Sequence, residues 1–109
     1  MDELTNLFKI LSDETRLRIL ILLYHQKLCV CQLQGILEES QPKISKNLAK
    51  LRDVGLVLDE RREQYIFYEL DHTNELLDVM LKTIISCVGD NKIIQTDLVR
   101  IQYASSFIK

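Results

Sequence analysis

Apolar residues recur every three or four positions along most of this chain, and the pattern gives way to short β-prone runs only near the middle. Leu4, Leu7, Phe8 and Leu11 share one helical face and predict a first helix over 3–11. Ser12 then stands where an N-cap is expected, with Asp13 and Glu14 suited to the positive end of the following helix. That second helix runs to about Tyr24, with Leu17, Leu20, Ile21 and Tyr24 inward. Leu28–Cys31 reads as a short connection, and 31–38 as a brief third helix burying Leu33, Ile36 and Leu37, with Gly35 weakening it. Ser40-Gln41-Pro42 opens the next helix: a serine cap, then a proline whose missing N–H costs nothing in the first turn. Ile44, Leu48, Leu51 and Val54 make its buried stripe, and Gly55 ends it. The β-prone runs 56–60 and 65–70, joined by Arg61-Arg62-Glu63-Gln64, predict a hairpin. A helix over 73–88 carries Leu76, Leu77, Met80, Leu81, Ile84 and Ile85, and after Gly89-Asp90-Asn91 a last helix over 92–109 is expected.

Helices followed by a two-stranded hairpin predict a mainly α fold with a β-hairpin wing, the winged helix-turn-helix arrangement. We expect one domain over 1–109. The helix-turn-helix would occupy 31–54, the wing 56–70, and a C-terminal dimerisation helix and tail 73–109. The second helix of such a motif lies in the major groove with its N-terminal residues at base edges. Gln41, Lys43, Ser45, Lys46, Asn47 and Lys50 are then the candidate DNA contacts, with Arg61 and Arg62 at the wing tip reaching phosphate or the minor groove. The apolar stripe on 73–88 is wider than one helix face in a small domain requires, so part of it should meet a second subunit.

Charge sharpens this picture. The net charge of the 109 residues is -2. Between Gln41 and Arg62 six basic residues face three acidic ones, a local +3 on a body of -5. Such a patch can bind phosphate while the acidic remainder limits indiscriminate binding; a merely solvated helix face remains the alternative. No apolar run approaches the roughly 18 residues of a membrane span. Met1-Asp2-Glu3-Leu4 lacks the basic start of a secretory signal, so a cytoplasmic location and no membrane partner are expected. No nucleophile-plus-base spacing and no glycine-rich phosphate loop are present, which argues against an enzyme.

The chemistry concentrates in the thiols. Three cysteines, an odd number, suit free thiols or metal ligands in a reducing compartment better than disulfides. Cys29 and Cys31 flank one residue at the start of the third helix, where the dipole can lower a thiol pKa. Soft thiolates select soft ions. Trivalent arsenic and antimony take three thiolates in a pyramid, and the chain has three. Cys87, near the end of the 73–88 helix, is a candidate third ligand from either subunit, or an inert packing residue. Cys29 and Cys31 could likewise be core residues. His25 and His72 lack metal-ligand spacing.

Leu11-Ser12-Asp13-Glu14-Thr15-Arg16-Leu17-Arg18-Ile19-Leu20 and Ser40 through Val57 resemble two successive signatures of the ArsR/SmtB family of winged-helix repressors. Leu28-Cys29-Val30-Cys31 resembles the thiol box of its arsenite- and antimonite-responsive branch. The resemblance covers about Phe8 to Leu70. It implies a homodimer paired through its terminal helices on double-stranded operator DNA, with Cys29 and Cys31 as thiolate ligands and no cofactor required for DNA binding. The implied inducer is As(III) or Sb(III), with Cd, Pb or Zn as further possibilities. The chain departs from the branch where Gln32 replaces an acid and Gln34 stands at the third cysteine's place. It has no cysteine before Cys29 for a four-thiolate site. Asp71 and His72 lie where a zinc site on the terminal helix would begin, but Ile84 and Ile85 occupy the region of its second histidine. The function expected is a repressor released by a thiol-binding metalloid. A redox- or persulfide-responsive repressor is the first alternative, and a winged-helix protein adaptor without DNA binding the second.

Overall fold

The computed structural model describes residues 2–108. Six α-helices and three short strands run in the order α1 (Asp2–Leu11), α2 (Glu14–His25), β1 (Leu28–Cys29), α3 (Val30–Leu37), α4 (Gln41–Asp53), β2 (Val57–Arg62), β3 (Tyr65–Leu70), α5 (Glu75–Cys87) and α6 (Lys92–Arg100). A 3-10 segment, Ile101–Phe107, follows α6 and is kinked at Tyr103. Lys109, the end of the predicted last helix, lies outside the described residues.

The centre of the fold is α2, whose Ile19 to Leu23 are all buried, so it is enclosed on nearly every side. One apolar cluster joins it to Leu33, Ile36 and Leu37 of α3, Ile44, Leu48 and Leu51 of α4, and Leu77 and Leu81 of α5. Burying a leucine or isoleucine side chain contributes about 1.5–3 kcal/mol. The Ile44–Leu48–Leu51 stripe alone therefore holds α4 firmly while leaving its other face to solvent.

Helix starts follow local chemistry, with one correction. Asp13, not Ser12, caps α2: its Oδ2 accepts from the Arg16 N–H at 3.0 Å. The Ser12 hydroxyl instead donates to Lys9 O at 2.7 Å and closes α1. Ser40 caps α4 as expected, and Asn74 caps α5, so that helix starts two residues later than its pattern implied. Gly55 takes φ 79° just beyond α4, the left-handed conformation its side-chain-free backbone allows.

Two other segments differ from the sequence pattern. Leu28 and Cys29 are not a plain connection: they form an edge strand antiparallel to β3, Leu28 opposite Tyr68 and Cys29 opposite Phe67. The sheet order is β1-β3-β2. The hairpin also extends further than predicted. Arg61 and Arg62 pair with Ile66 and Tyr65, leaving only Glu63 and Gln64 as the turn, with Glu63 at φ 58°. The predicted last helix breaks after Arg100 into the 3-10 segment, which lies against α3. On α1, Phe8 is 52% exposed and Ile10 is buried in its stead.

Candidate functional site

Two surfaces assemble from the predicted residues. The first is the outer face of α4. Gln41, Lys43, Lys46 and Lys50 are exposed, while Ser45 and Asn47 are half-buried along the same helix. Gln41 Nε2 donates to Ser45 Oγ at 2.6 Å and Asn47 Nδ2 to Lys43 O at 2.9 Å, so these polar groups are ordered along the helix. Lys43 pairs with Glu39 at 3.0 Å. Among the described residues Lys46, Lys50 and Arg61 enter no ion pair, which leaves three cations free for phosphate. Arg62 is engaged by Glu60, whose carboxyl it holds below the ordinary range with help from Lys27. The sequence placed both arginines at the wing tip; the structure places them on the last two positions of β2. Arg52 meets Asp59 at 3.4 Å and ties the end of α4 to the wing.

The second surface is the thiol pair. Cys29 Sγ and Cys31 Sγ lie 3.1 Å apart. Cys29 is 1% exposed and Cys31 half-buried, so a ligand meets Cys31 first. An open cleft of about 280 Å³ beside Cys31 is lined by Gln34, Gly35, Glu38, Glu39 and Phe107. Cys29 is also the N-cap of α3. Its N–H donates to Gln32 Oε1 at 2.9 Å, and its sulfur faces the Gln32 N–H, the reciprocal pattern of a capping box with a thiol in place of a hydroxyl. The helix N-terminus was expected to lower the thiol pKa. Burial wins instead: desolvation, then the hydrogen bond with Cys31, pushes the Cys29 thiol up, outweighing the backbone N–H groups of Gln32 and Cys31.

The third cysteine is elsewhere. Cys87 is exposed at the end of α5, with Ser86 Oγ 3.9 Å from its sulfur. Among the described residues no group of three or more His, Cys, Asp or Glu side chains gathers to hold a metal ion. Within this chain the pair therefore offers two thiols. Asp71 Oδ1 is occupied by Thr73, and His72 by Asp78 at 2.8 Å.

Residues 13–58 match the pattern of the family described as "Bacterial regulatory protein, arsR family". The chain is 42% identical over 92 residues to the arsenic resistance transcriptional regulator ArsR2 of Pseudomonas putida, covering 79% of this chain and 80% of that protein. The chain belongs to the arsR family. A second relative, ArsR1 of Pseudomonas putida, is 44% identical over 80 residues, covering 72% of this chain but only 62% of its own length. Among solved structures, this arsR-family chain is similar to the transcriptional regulator HlyU from Vibrio vulnificus (35% identity, TM-score 0.72, 79% of this chain and 88% of that one). It is also similar to the AntR antimony-specific transcriptional repressor (27% identity, TM-score 0.71, 82% and 79%). The fold is thus the mainly helical, hairpin-winged arrangement of arsR-family regulators.

Sequence reasoning missed the partners of α3. Arg18 binds Asp97 through two contacts, Nε to Oδ2 at 2.8 Å and Nη2 to Oδ1 at 2.9 Å, and its Nη2 also donates to Leu37 O at 3.3 Å. The Gln32 side chain is buried. Its role had a sequence signal: a cap-competent Cys29 with a glutamine three residues on.

Proposed function

We propose that this chain is a homodimeric transcriptional repressor that binds operator DNA through α4 and the β2–β3 wing and releases it when trivalent arsenic or antimony is captured at Cys29 and Cys31. The observation that carries this reading is the 3.1 Å approach of the two sulfurs at the first turn of α3, the helix packed against α4. One winged-helix domain spans 1–109, with 31–54 as helix-turn-helix, 56–70 as wing and 73–109 as dimerisation helix and tail. Gln41 and Ser45 read base edges, Lys43, Lys46, Asn47 and Lys50 seat the helix, and Arg61 and Arg62 contact the backbone. DNA binding requires no cofactor.

Capture starts at half-buried Cys31 and closes on buried Cys29. Each sulfur–arsenic bond forms as one hydroxide of arsenous acid leaves with the thiol proton as water, so no oxidant is consumed. Two thiols per protomer leave one position on the metalloid. Cys87 of the second protomer or an external thiol fills it. The arsenic relatives and the antimony repressor support the metalloid class; the thiolate donors would also accept Cd, Pb or Zn.

The captured ligand must favour the DNA-free conformation, because equal affinity for both states would shift nothing. A coupling of about 1–3 kcal/mol corresponds to a 5- to 150-fold loss of operator affinity. Leu76 and Val79, 47% and 62% exposed on α5, and Phe8 on α1 support a second copy as partner of the terminal helices.

A gel-shift titration with arsenite and antimonite tests the proposal. Cys29→Ser and Cys31→Ser should each bind operator normally and fail to release it. Release by the double variant would place sensing elsewhere. The same sulfur–sulfur contact also favours a second reading, in which oxidation or persulfide chemistry links the two thiols. Release by hydrogen peroxide or a persulfide donor, with no response to arsenite, would select that reading.

A further inference from the structure

The C-terminal segment is fastened to α3 at Arg100, Ala104 and Phe107. Gln32 Nε2 donates to Ala104 O at 3.2 Å. Arg100 Nη1 donates to Ile36 O at 3.1 Å and pairs with Glu38 at 2.9 Å. Phe107 lies over Gly35 so closely that a Cβ there would collide with its ring, and the same ring walls the cleft beside Cys31. The Gln32 amide uses both ends: its oxygen receives the Cys29 N–H while its nitrogen holds Ala104. An ionised carboxylate accepts only, so an acid could keep the first bond and not the second.

We propose that Gln32 is a positioning residue that joins the thiol pair to the C-terminal segment, making residues 92–107 a strap that loosens when the thiols close on a ligand. This rests on the reading of Cys29 and Cys31 as the sensing pair. Drawing the two sulfurs onto one atom shifts the Cys29 backbone, which is the partner of Gln32 Oε1. The amide follows, and the Ala104 tie is lost. Because coupling is reciprocal, anything that loosens the strap must strengthen ligand capture. A neutral amide at position 32 is what makes this linkage available.

The test is hydrogen exchange at residues 101–107 with and without arsenite, alongside calorimetric arsenite binding. In ligand-free protein Gln32→Glu should speed exchange there about five- to tenfold, the scale of one lost hydrogen bond. Arsenite should speed exchange at 101–107 in the wild type and add nothing in Gln32→Glu. Gly35→Ala leaves both thiols and Gln32 in place but displaces Phe107; it should speed exchange and bind arsenite more tightly than the wild type. Mere structural damage would weaken binding instead. Unchanged exchange in ligand-free Gln32→Glu, or weaker arsenite binding by Gly35→Ala, overturns the inference. If Gln32→Glu does not fold, Gly35→Ala carries the test by itself. Arsenite that alters the strap without releasing DNA would sink the repressor-release reading and leave this one standing.

Discussion

Replacing Arg18 by methionine should be among the most damaging single changes outside the apolar core. The Asp97 side chain is 3% exposed and that of Arg18 13%, and they meet in a two-pronged ion pair. The carboxylate holds the guanidinium in its charged form: hydrogen bonding to Asp97 raises the Arg18 pKa against the opposing effect of burial. Removing the cation leaves a carboxylate in the interior without its partner, a cost of about 3–5 kcal/mol. Leu37 O loses its donor as well. For a domain near 100 residues, 1 kcal/mol moves the melting temperature by roughly 4 °C. Arg18→Met should therefore melt about 12–20 °C below the wild type, followed by circular dichroism at fixed protein concentration. Asp97→Asn should cost less, because Arg18 keeps partial access to water. The double variant Arg18→Met/Asp97→Leu should recover most of the loss, since an apolar pair of similar volume often matches a buried ion pair. A loss under about 1 kcal/mol for Arg18→Met, or no recovery in the double variant, would refute the view that the pair is desolvated in solution.

Three further outcomes are expected. Lys46→Ala should weaken binding to all DNA and reduce the salt dependence by about one phosphate contact, while Gln41→Ala and Ser45→Ala relax sequence preference; three unchanged operator affinities would exclude α4 as the reader. Leu76→Glu with Val79→Glu should convert the dimer to a monomer in sedimentation at micromolar concentration, and a wild type that is already monomeric would remove the dimer from the proposal. The raised Cys29 pKa means the folded state holds that proton more tightly than the unfolded chain. Its stabilising contribution is full below the ordinary thiol value of about 8.5 and is lost as pH rises through the higher folded value. Denaturant unfolding should accordingly show stability falling above that pH, Cys29→Ser should lack the decline, and identical pH profiles would count against burial of this thiol.

The helices were readable because their cores are periodic: Ile44, Leu48 and Leu51 announce α4, and Ser40 and Gly55 mark its ends. The thiol pair was readable from its spacing. The β1 strand was not, because two residues carry no period and its pairing partner lies some forty positions away. The hairpin turn was placed at Arg61 to Gln64, but its narrowing to Glu63-Gln64 was not readable, because neither residue is a usual turn former, although Glu63 takes a positive φ. The strap was obscured for a different reason. The polar ties that anchor it, Gln32 to Ala104, Arg100 to Ile36 and Arg18 to Asp97, leave no trace in hydrophobic spacing.

Cys29 faces Phe67 across the sheet and caps α3 in reciprocal contact with Gln32. A covalent event at this one residue is thus delivered to the two elements that the proposed function places on a duplex. One is the inner strand of the hairpin; the other is the helix that supports α4. A regulator gripping through two independently mobile elements could slide through half-bound states as its inducer accumulates. If the proposed function holds, the link through Cys29 removes that freedom: both contacts would be disturbed by the same chemical step, so occupancy of the operator should follow the fraction of reacted thiol without a long-lived partly attached species.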